Sequence, residues 1–209
     1  MKKIIVFGAG EFGSLVSNLI FYDNGFEISA YGDDNINGNT LKDGIPVFDM
    51  NELIQFSKKN KINTAICAIG NNIVRSEKYN FLAGLSFEMI SLVHPKALID
   101  TKVEFGKNVS IEMGTAIHTC TKIGNNVFLG GDALIGHHNI IGNHVLIGGN
   151  VSFGGSVITE DYVTIGVGAS IKPGIKIGKG ATVGVGAVVV RDVHPYSTVV
   201  GVPAKPLKK

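Results

Sequence analysis

The chain has 209 residues, of which 44% are hydrophobic and 17% are charged, and its formal net charge is +2. Glycine accounts for 28 of these residues, about twice its usual fraction of roughly 7%. This composition favours a turn-rich, β-rich fold over a helical bundle or a disordered chain. The near balance of 19 basic and 17 acidic residues provides no large field that would attract nucleic acid or an anionic membrane.

Neither the cysteines nor the N-terminus suggests secretion. Cys67 and Cys120 lie far apart and without Cys-x-x-Cys spacing, so we expect free thiols rather than a disulfide framework or a zinc site. The apolar run that follows Lys3 is too short for a signal peptide and passes directly into glycines, which favours a first strand. No segment approaches the roughly 20 apolar residues of a membrane span. We therefore expect a cytoplasmic protein.

Residues 1–92 alternate between strand and helix signals. Short apolar runs predict strands over 4–7, 27–31, 63–69 and 87–92. Apolar residues at helical spacing predict helices around 15–20, over 51–59 and over 73–85. Such a βαβ series predicts a first domain with a Rossmann-like parallel sheet and helices on its faces.

Residues 93–209 form a predicted second domain with a different period. From Phe105 to Val189 an apolar residue recurs every six positions without an insertion, and Thr159 is its one polar exception. We call these residues anchors. A period of six suits a coil with three short faces per turn, in which the anchors point inward and the glycines that often follow them help to turn each corner. Eighteen residues then complete one turn, which predicts about five turns over residues 103–192.

A glycine-rich loop stands at the start of the first domain. Gly8-x-Gly10-x-x-Gly13 follows a predicted strand and opens a predicted helix, and Asp33 and Asp34 come about twenty residues later. This is the dinucleotide-binding fingerprint, in which amides at a helix N-terminus hold phosphate. Because the domain has room for only one mononucleotide-binding half, we expect a nucleotide diphosphate group rather than NAD. A purely structural turn is the alternative.

Among the histidines of the repeat region, His137 has the most informative position. It lies at a predicted corner, and the position one turn later is Gly155, which has no side chain to cover its amide. A base beside an exposed N–H suits acyl transfer, because the imidazole accepts a proton from the nucleophile while the amide stabilises the oxyanion. His138 is a candidate helper or sugar contact, whereas we expect His118 and His144 to be surface residues. No acidic or cysteine partner is spaced to complete a metal site with these histidines.

The repeats resemble those of the hexapeptide-repeat transferases. Further motifs sharpen the resemblance to the sugar O-/N-acyltransferases of the sialic-acid O-acetyltransferase and bacillosamine-pathway N-acetyltransferase type. These motifs are the glycine loop, Asp33-Asp34, Val93-His94-Pro95, Ile135-Gly136-His137 and Gly201-Val202-Pro203-Ala204-Lys205. The resemblance implies an α/β domain followed by a left-handed parallel β-helix, assembled as a homotrimer. It also implies transfer of an acetyl group from acetyl-CoA, without a metal, to an amino group of a nucleotide-linked deoxy-sugar in bacterial surface glycan biosynthesis.

The resemblance also implies roles for individual residues. His137 matches the family's catalytic base. The nucleotide would be held by Gly8, Gly10, Gly13, Asp33 and Asp34. Acetyl-CoA would lie in one groove along the edge of the coil, in contact with Gly155, Val167, Val185 and Gly186.

The sequence departs from the family pattern at three positions. The acidic residue that usually follows the base is replaced by His138, and a second family histidine is replaced by Leu146. The Gly-His pair often found in the glycine loop is Phe12-Gly13 here. Two alternatives remain open, namely O-acetylation of a sialic-acid-like sugar and a non-catalytic or metal-binding β-helix scaffold.

Overall fold

The computed structural model describes residues 1–23, 25–35 and 40–207. The chain divides into two compact units, Met1–Leu92 and Val93–Lys209. Each unit has its own hydrophobic core, one around Phe7 and Leu53 in the first unit and one around the anchors of the second. Over the residues described, no helix is both long and apolar enough to cross a membrane.

The described part of the first unit contains a six-stranded sheet and three helices. The strands are Lys2–Phe7 (β1), Phe26–Gly32 (β2), Thr40–Lys42 (β3), Ile45–Phe48 (β4), Thr64–Cys67 (β5) and Glu88–Met89 (β6). The helices are Glu11–Asp23 (α1), Met50–Lys59 (α2) and Asn72–Gly84 (α3). The strand order is β3-β4-β2-β1-β5-β6, and every neighbouring pair except β3–β4 is parallel. Strand β1 is central, so both of its faces are covered and its apolar residues form an unbroken run.

The predicted parallel sheet carries one antiparallel hairpin at its edge. Strands β3 and β4 form an antiparallel hairpin, and its turn residues Asp43 and Gly44 have φ angles of +52° and +78°. Asp-Gly is a favoured pair in such two-residue turns because both positions need a positive φ. The predicted strand over 87–92 is also interrupted, since β6 ends at Met89 and a separate strand, Leu92–Val93, lies at the boundary of the two units.

The second unit is a coil of two-residue strands arranged on three faces. The first face carries Leu92–Val93, Ser110–Ile111, Phe128–Leu129, Leu146–Ile147, Thr164–Ile165, Thr182–Val183 and Thr198–Val200, with Lys205–Pro206 antiparallel at its end. The second face carries Leu98–Ile99, Ala116–Ile117, Leu134–Ile135, Ser152–Phe153, Ser170–Ile171 and Val188–Val189. The third face carries Glu104–Phe105, Lys122–Ile123, Ile140–Ile141, Ile158–Thr159 and Lys176–Ile177. The coil therefore starts earlier than residue 103, because Leu98–Ile99 already pairs with Ala116–Ile117.

Up to Val189, parallel pairing joins residues eighteen positions apart, as Leu134 with Ser152 and Ile135 with Phe153. In the last turn the offset falls to sixteen, as between Thr182 and Thr198. We name the corners after the faces that they follow. The first corner contains residues 112–115, 130–133, 148–151, 166–169 and 184–187. The second contains 118–121, 136–139, 154–157 and 172–175, and the third contains 106–109, 124–127, 142–145, 160–163 and 178–181.

The glycines that follow the anchors have a different role from the expected one. The left-handed φ angles of the corners fall two residues later, at positions such as Asp132, His138 and Asn150. Gly130 is required instead by close approach, because a Cβ there would lie 2.5 Å from the backbone nitrogen of Gly149 in the next turn. Such glycines let successive turns stack at strand spacing. The bend itself falls on a second glycine or on another residue, most often Asn but also the larger His138 and Tyr162.

The anchors fill the interior of the coil. Their side chains are almost fully buried, with Phe105 as an exception at 39% exposure because it lies on the first strand of its face. Thr159 is 1% exposed, and its Oγ1 has no hydrogen-bond partner in the described part of the chain. A buried hydroxyl without a partner carries its full desolvation penalty.

We expect Thr159→Val to raise the free energy of unfolding by about 1–2 kcal/mol, because it replaces the unpartnered hydroxyl with a methyl group of similar size. Chemical denaturation of the full chain, followed by circular dichroism, measures this change.

The matched control is Thr121→Val. Thr121 is equally buried, but its Oγ1 donates to the Gly136 carbonyl at 2.9 Å and accepts from the Asn139 amide at 3.3 Å. The same substitution should therefore destabilise the protein by about 1–3 kcal/mol. A shift of both variants in the same direction would contradict the argument.

Candidate functional site

The three fingerprint glycines occupy very different surroundings in the turn between β1 and α1. Gly8 has a φ of +121°, and a Cβ there would lie 2.1 Å from the Ala68 carbonyl oxygen. A Cβ at Gly13 would lie 2.0 Å from the Gly8 carbonyl oxygen, whereas a Cβ at Gly10 would meet nothing within 4 Å. Gly8 and Gly13 are thus required by the packing of the turn. Gly10 leaves a bare stretch of backbone that a ligand can approach.

The two aspartates that follow β2 already have partners within the chain. Asp33 accepts hydrogen bonds from the Ala9 amide at 3.1 Å and from the Asn35 amide at 2.9 Å. Asp34 forms an ion pair with Lys78 of α3. Asp33 therefore holds the glycine loop in place, and each of its carboxylate oxygens retains further lone pairs for a ligand.

A cavity of about 260 Å³ lies against this loop. It is lined by the glycine loop, by Phe12, by residues 33–35 and 68–70, and by Val74 and Lys78. Lys78 and a second lysine, Lys42, were not among the candidates from the sequence. Lys42 Nζ donates to the Ala9 carbonyl at 2.9 Å and to Ser14 Oγ at 2.5 Å, so it braces the loop from the side of the β3–β4 hairpin. Both lysines come from elements that are distant in sequence, and Lys42 contacts the loop while Lys78 lines the cavity beside it.

In the second unit, the structure places His137 directly against Gly155, at the second corner. A Cβ at Gly155 would lie 2.5 Å from His137 Cε1 and 2.7 Å from Nε2, so only glycine leaves room for the ring. The Gly155 amide donates to no acceptor among the described residues. The next residue along this corner column is Pro173, which has no N–H. The imidazole and an available amide donor thus lie side by side.

The corresponding amides of the third corner are closed by side chains from the next turn. The Lys107 amide donates to Asn125 Oδ1 at 2.8 Å, and the Asn125 amide donates to Asn143 Oδ1 at 2.9 Å. The Asn143 amide in turn donates to Asp161 Oδ1 at 2.7 Å. At the third corner, the amides equivalent to that of Gly155 are therefore occupied by side-chain acceptors. At the second corner, the Gly155 amide stays available.

His138 follows the candidate base in a left-handed conformation, with a φ of +58°. Its Nδ1 lies 3.1 Å from Nδ1 of His137, and the two rings are nearly perpendicular at 84°. Because one nitrogen of such a hydrogen bond must carry the proton, the contact couples the tautomers of the two rings. Both side chains are exposed.

The other histidines of the coil lie elsewhere. His118 is exposed, but the expectation of a surface position for His144 is wrong, since it is only 8% exposed. His144 Nδ1 lies 2.8 Å from Asn126 Nδ2, and its ring stacks on Tyr162 at 4.8 Å. It belongs to a polar stack inside the third corner. Within the described ranges, no group of three or more His, Cys, Asp or Glu residues could hold a metal ion.

The predicted acetyl-CoA contacts do not lie along one edge of the coil. Gly155 belongs to the second corner, whereas Val167, Val185 and Gly186 belong to the first. Val167 is 51% and Val185 77% exposed, so the first corner presents apolar side chains to the surroundings. Within a single chain, the expectation of one shared groove is therefore wrong, because the second face separates the two corners.

Acidic and basic groups mark the two ends of the coil. Near its start, burial raises the pKa of the Glu112 carboxyl at the first corner, and its Oε1 has no hydrogen-bond partner in the described ranges. Near its end, a cavity of about 560 Å³ is lined by Arg191, Asp192, His194 and Lys205 among other residues. Its two cationic side chains, Arg191 and Lys205, are suited to contact the phosphate groups of a ligand.

Known proteins of the same architecture carry related activities. The PglD N-terminal domain family matches residues 3–82. PerB from Caulobacter crescentus, solved with CoA and GDP-perosamine, is 25% identical, with a TM-score of 0.91 over 100% of this chain and 98% of that one. The acetyltransferase domain of PglB from Neisseria gonorrhoeae FA1090, solved with acetyl coenzyme A, is 28% identical, with a TM-score of 0.90 over 99% of each chain.

WeeI from Acinetobacter baumannii AYE is 30% identical, with a TM-score of 0.90 over 99% of this chain and 100% of that one. No match was found among curated proteins. These similarities confirm the predicted fold class, a Rossmann-like sheet domain followed by a left-handed parallel β-helix.

Gly10→Ala tests whether the open backbone of the glycine loop binds a nucleotide. The new Cβ meets no protein atom, so we expect normal thermal stability. We also expect about tenfold or greater loss of affinity for a nucleoside diphosphate, because the methyl group takes the space that the phosphate needs. Calorimetric titration of the full chain with UDP, GDP and dTDP measures the affinity.

Gly84→Ala is the control, since a Cβ at this position also meets nothing within 4 Å and lies far along α3 from the loop. Equal losses of affinity in the two variants would show that the effect is unrelated to phosphate approach.

Proposed function

The chain belongs to the hexapeptide-repeat sugar acyltransferases of the bacillosamine/perosamine N-acetyltransferase type, and we propose that it transfers the acetyl group of acetyl-CoA to an amino group of a nucleotide-linked deoxy-sugar with His137 as the general base. It is an acyltransferase that uses acetyl-CoA. The observation that carries the proposal is the contact between the His137 imidazole and Gly155, whose amide is available. The product is a building block of bacterial surface glycans, and we place the reaction in the cytoplasm.

The geometry supports a direct transfer. The sugar amine attacks the thioester carbonyl as His137 Nε2 accepts its proton, which gives a tetrahedral intermediate. The Gly155 N–H donates to the oxyanion of that intermediate and lowers its free energy. When the C–S bond breaks, the CoA sulfur leaves as the thiolate and takes up the proton that His137 holds. The amide product and free CoA thiol account for all atoms and charges.

His138 determines which nitrogen of His137 acts as the base. If Nδ1 of His138 accepts the hydrogen bond, then Nδ1 of His137 carries the proton and its Nε2 lone pair faces the substrate. A carboxylate at this position would impose the same tautomer and would also stabilise the imidazolium by its charge. A neutral imidazole supplies the lone pair without that charge.

In the first unit, the nucleotide lies against the glycine loop. Gly10 gives the diphosphate access to the backbone at the start of α1, while Gly8 and Gly13 maintain the turn. Asp33 and Asp34 lie at the adjacent cavity and offer acceptors to ribose hydroxyls or base N–H groups. Lys78 adds a cation to the same lining.

A homotrimer accounts for the separation of the acetyl-CoA residues. If the second corner of one copy meets the first corner of the next, Gly155 joins Val167, Val185 and Gly186 in one groove between two copies. The interface is then heterologous and closes into a ring with the second face toward the threefold axis.

The composition of the faces supports this orientation. The outward residues of the second face are small or apolar and include Leu98, Leu134 and Ser152, and among the described residues none is charged. The third face, by contrast, carries Lys122 and Lys176 at its outward positions. An uncharged face suits the interior of the ring and a charged face suits its exterior. The outward residues on the parallel strands of the first face are uncharged as well, so composition argues against the third face, and the choice of the second face rests on the corner residues.

The central test is release of free thiol from acetyl-CoA in the presence of UDP-, dTDP- and GDP-linked 4-amino-sugars, with CMP-sialic acid and free sialic acid included. We expect turnover on one amino-sugar, and we expect His137→Ala to lower kcat at least about 100-fold, because general-base catalysis is typically worth 10²–10⁴-fold.

Two histidine variants serve as controls. His118→Ala, an exposed residue one turn earlier at the same corner, should leave kcat unchanged. His138→Gly relieves the left-handed conformation but removes the Nδ1 acceptor, so it should lower kcat by less than His137→Ala. Retention of more than about a tenth of kcat by His137→Ala would refute the base assignment, and turnover on sialic acid alone would indicate O-acetylation.

Complementation between two inactive variants tests the shared groove. We expect His137→Ala and Val185→Trp each to be inactive alone, because one lacks the base and the other blocks the groove. After co-expression, random trimers should recover about one quarter of wild-type activity, because about three quarters of them are mixed and each mixed ring has one intact site in three.

Activity after co-expression that does not exceed the mean of the two separate variants would show that each site is built within one chain. Analytical ultracentrifugation of the same samples verifies that mixed assemblies are present.

A further inference from the structure

Arg75 of α3 is a large, charged side chain with an exposure of only 2%. Among the described residues, no other Lys, Arg, Asp or Glu is buried to this extent. A guanidinium group loses much solvation free energy at such a position and persists only where hydrogen bonds compensate. Its partners therefore indicate what the residue does.

The guanidinium group holds the loop that follows β5. Arg75 Nη1 donates to the Ile69 carbonyl at 2.7 Å and to the Gly70 carbonyl at 3.2 Å. Because the N–H and C=O of a trans peptide point in opposite directions, the amides of Gly70 and Asn71 face away from Arg75. These two amides donate to no acceptor in residues 1–23, 25–35 and 40–207.

The same loop is one wall of the nucleotide cavity. Ala68, Ile69 and Gly70 all line it, opposite the glycine loop. The two loops are in direct contact. A Cβ at Gly8 would lie only 2.1 Å from the Ala68 carbonyl oxygen, and the Ala68 amide donates to the Phe7 carbonyl at 2.7 Å. A shift of residues 68–70 would therefore also displace the glycine loop on the opposite side of the cavity.

The charge of Arg75 persists at neutral pH. Burial lowers the pKa of its guanidinium to about 10, which is still well above 7. Burial also raises the pKa of the neighbouring Cys67 thiol to about 12, so the thiol stays neutral and does not cancel the charge. A buried positive charge thus lies behind a loop whose amides point away from it, and both features favour an anionic ligand on the far side.

We propose that Arg75 is a positioning residue for the nucleotide: it fixes the peptide planes of residues 69–71 so that this wall of the cavity presents its amides to the nucleotide of the substrate. The proposal rests on the proposed function, because it takes the ligand to be a nucleotide sugar. In this proposal Arg75 does not contact the nucleotide itself. It bonds to the backbone of the loop, and the loop contacts the nucleotide.

Calorimetric titration of the full chain with UDP, GDP and dTDP tests the proposal. Arg75→Met leaves the two carbonyls without their donor, and we expect about a tenfold or greater loss of affinity for the diphosphate that the wild type binds best. Arg75→Lys retains a cationic donor and should recover most of that affinity. Acetyl-CoA affinity should stay within about twofold of the wild type in both variants.

Leu82→Ala is the matched control for loss of stability. Leu82 is fully buried on the same helix and does not line the nucleotide cavity, so a comparable fall in Tm should leave nucleotide affinity unchanged. Equal loss of affinity in Arg75→Met and Leu82→Ala, or wild-type affinity in Arg75→Met, would overturn the proposal.

Kinetics separate this inference from the proposed function. Arg75→Met should raise KM for the amino-sugar nucleotide and leave kcat nearly unchanged, which a general loss of folded protein would not do. Absence of acetyl transfer by the wild type on every amino-sugar would refute the activity, while the calorimetric comparison of the Arg75 variants would still be decisive. Failure of all three diphosphates to bind the wild type would overturn the Arg75 proposal itself.

Discussion

The stacking of successive turns at an offset of eighteen residues, kept without interruption from Leu98 to Val189, is the constraint on which the second unit depends. Anchors such as Ile135 and Phe153 pair in parallel, and their burial supplies the hydrophobic free energy of the coil. The turns approach so closely that a Cβ at Gly136 would lie 2.8 Å from the Gly154 backbone. One register therefore determines both the core and the neighbours of every corner residue, and it brings His137 to Gly155.

The three corners of the coil differ in which backbone amides and side chains they leave accessible. The third corner closes its amides with an Asn and Asp ladder and buries Asn126 and His144 in a second stack. The second corner leaves the Gly155 donor available, and the first corner exposes Val167 and Val185. Side-chain hydrogen bonds are thus concentrated along one corner column, whereas the other two corners leave an amide donor and apolar side chains accessible. In the homotrimer proposed above, the second corner of one copy meets the first corner of the next.

Sequence periodicity was sufficient for the architecture and for the contact between His137 and Gly155, because both follow from counting residues. The same arithmetic would have separated Gly155 from Val167, since their spacing is not a multiple of eighteen. Other features depend on contacts that no local pattern contains. Lys42 contacts the glycine loop and Lys78 contacts Asp34 from elements that are distant in sequence. The stack of His144 with Asn126 and Tyr162, by contrast, follows from the same spacing of eighteen.

The proposed reaction is compatible with the departure from the family pattern at His138. The proposed base, His137, needs an acceptor near its Nδ1 to hold the required tautomer, and the His138 Nδ1, 3.1 Å away, can supply that lone pair as a carboxylate does. A carboxylate also stabilises the imidazolium by its charge, which a neutral ring does not. In the proposed mechanism the protonated base is less stabilised, so the transition state depends more heavily on the oxyanion contact. The Gly155 amide can provide this oxyanion contact, because no side chain covers it and the residue one turn later in its column is a proline, which has no N–H.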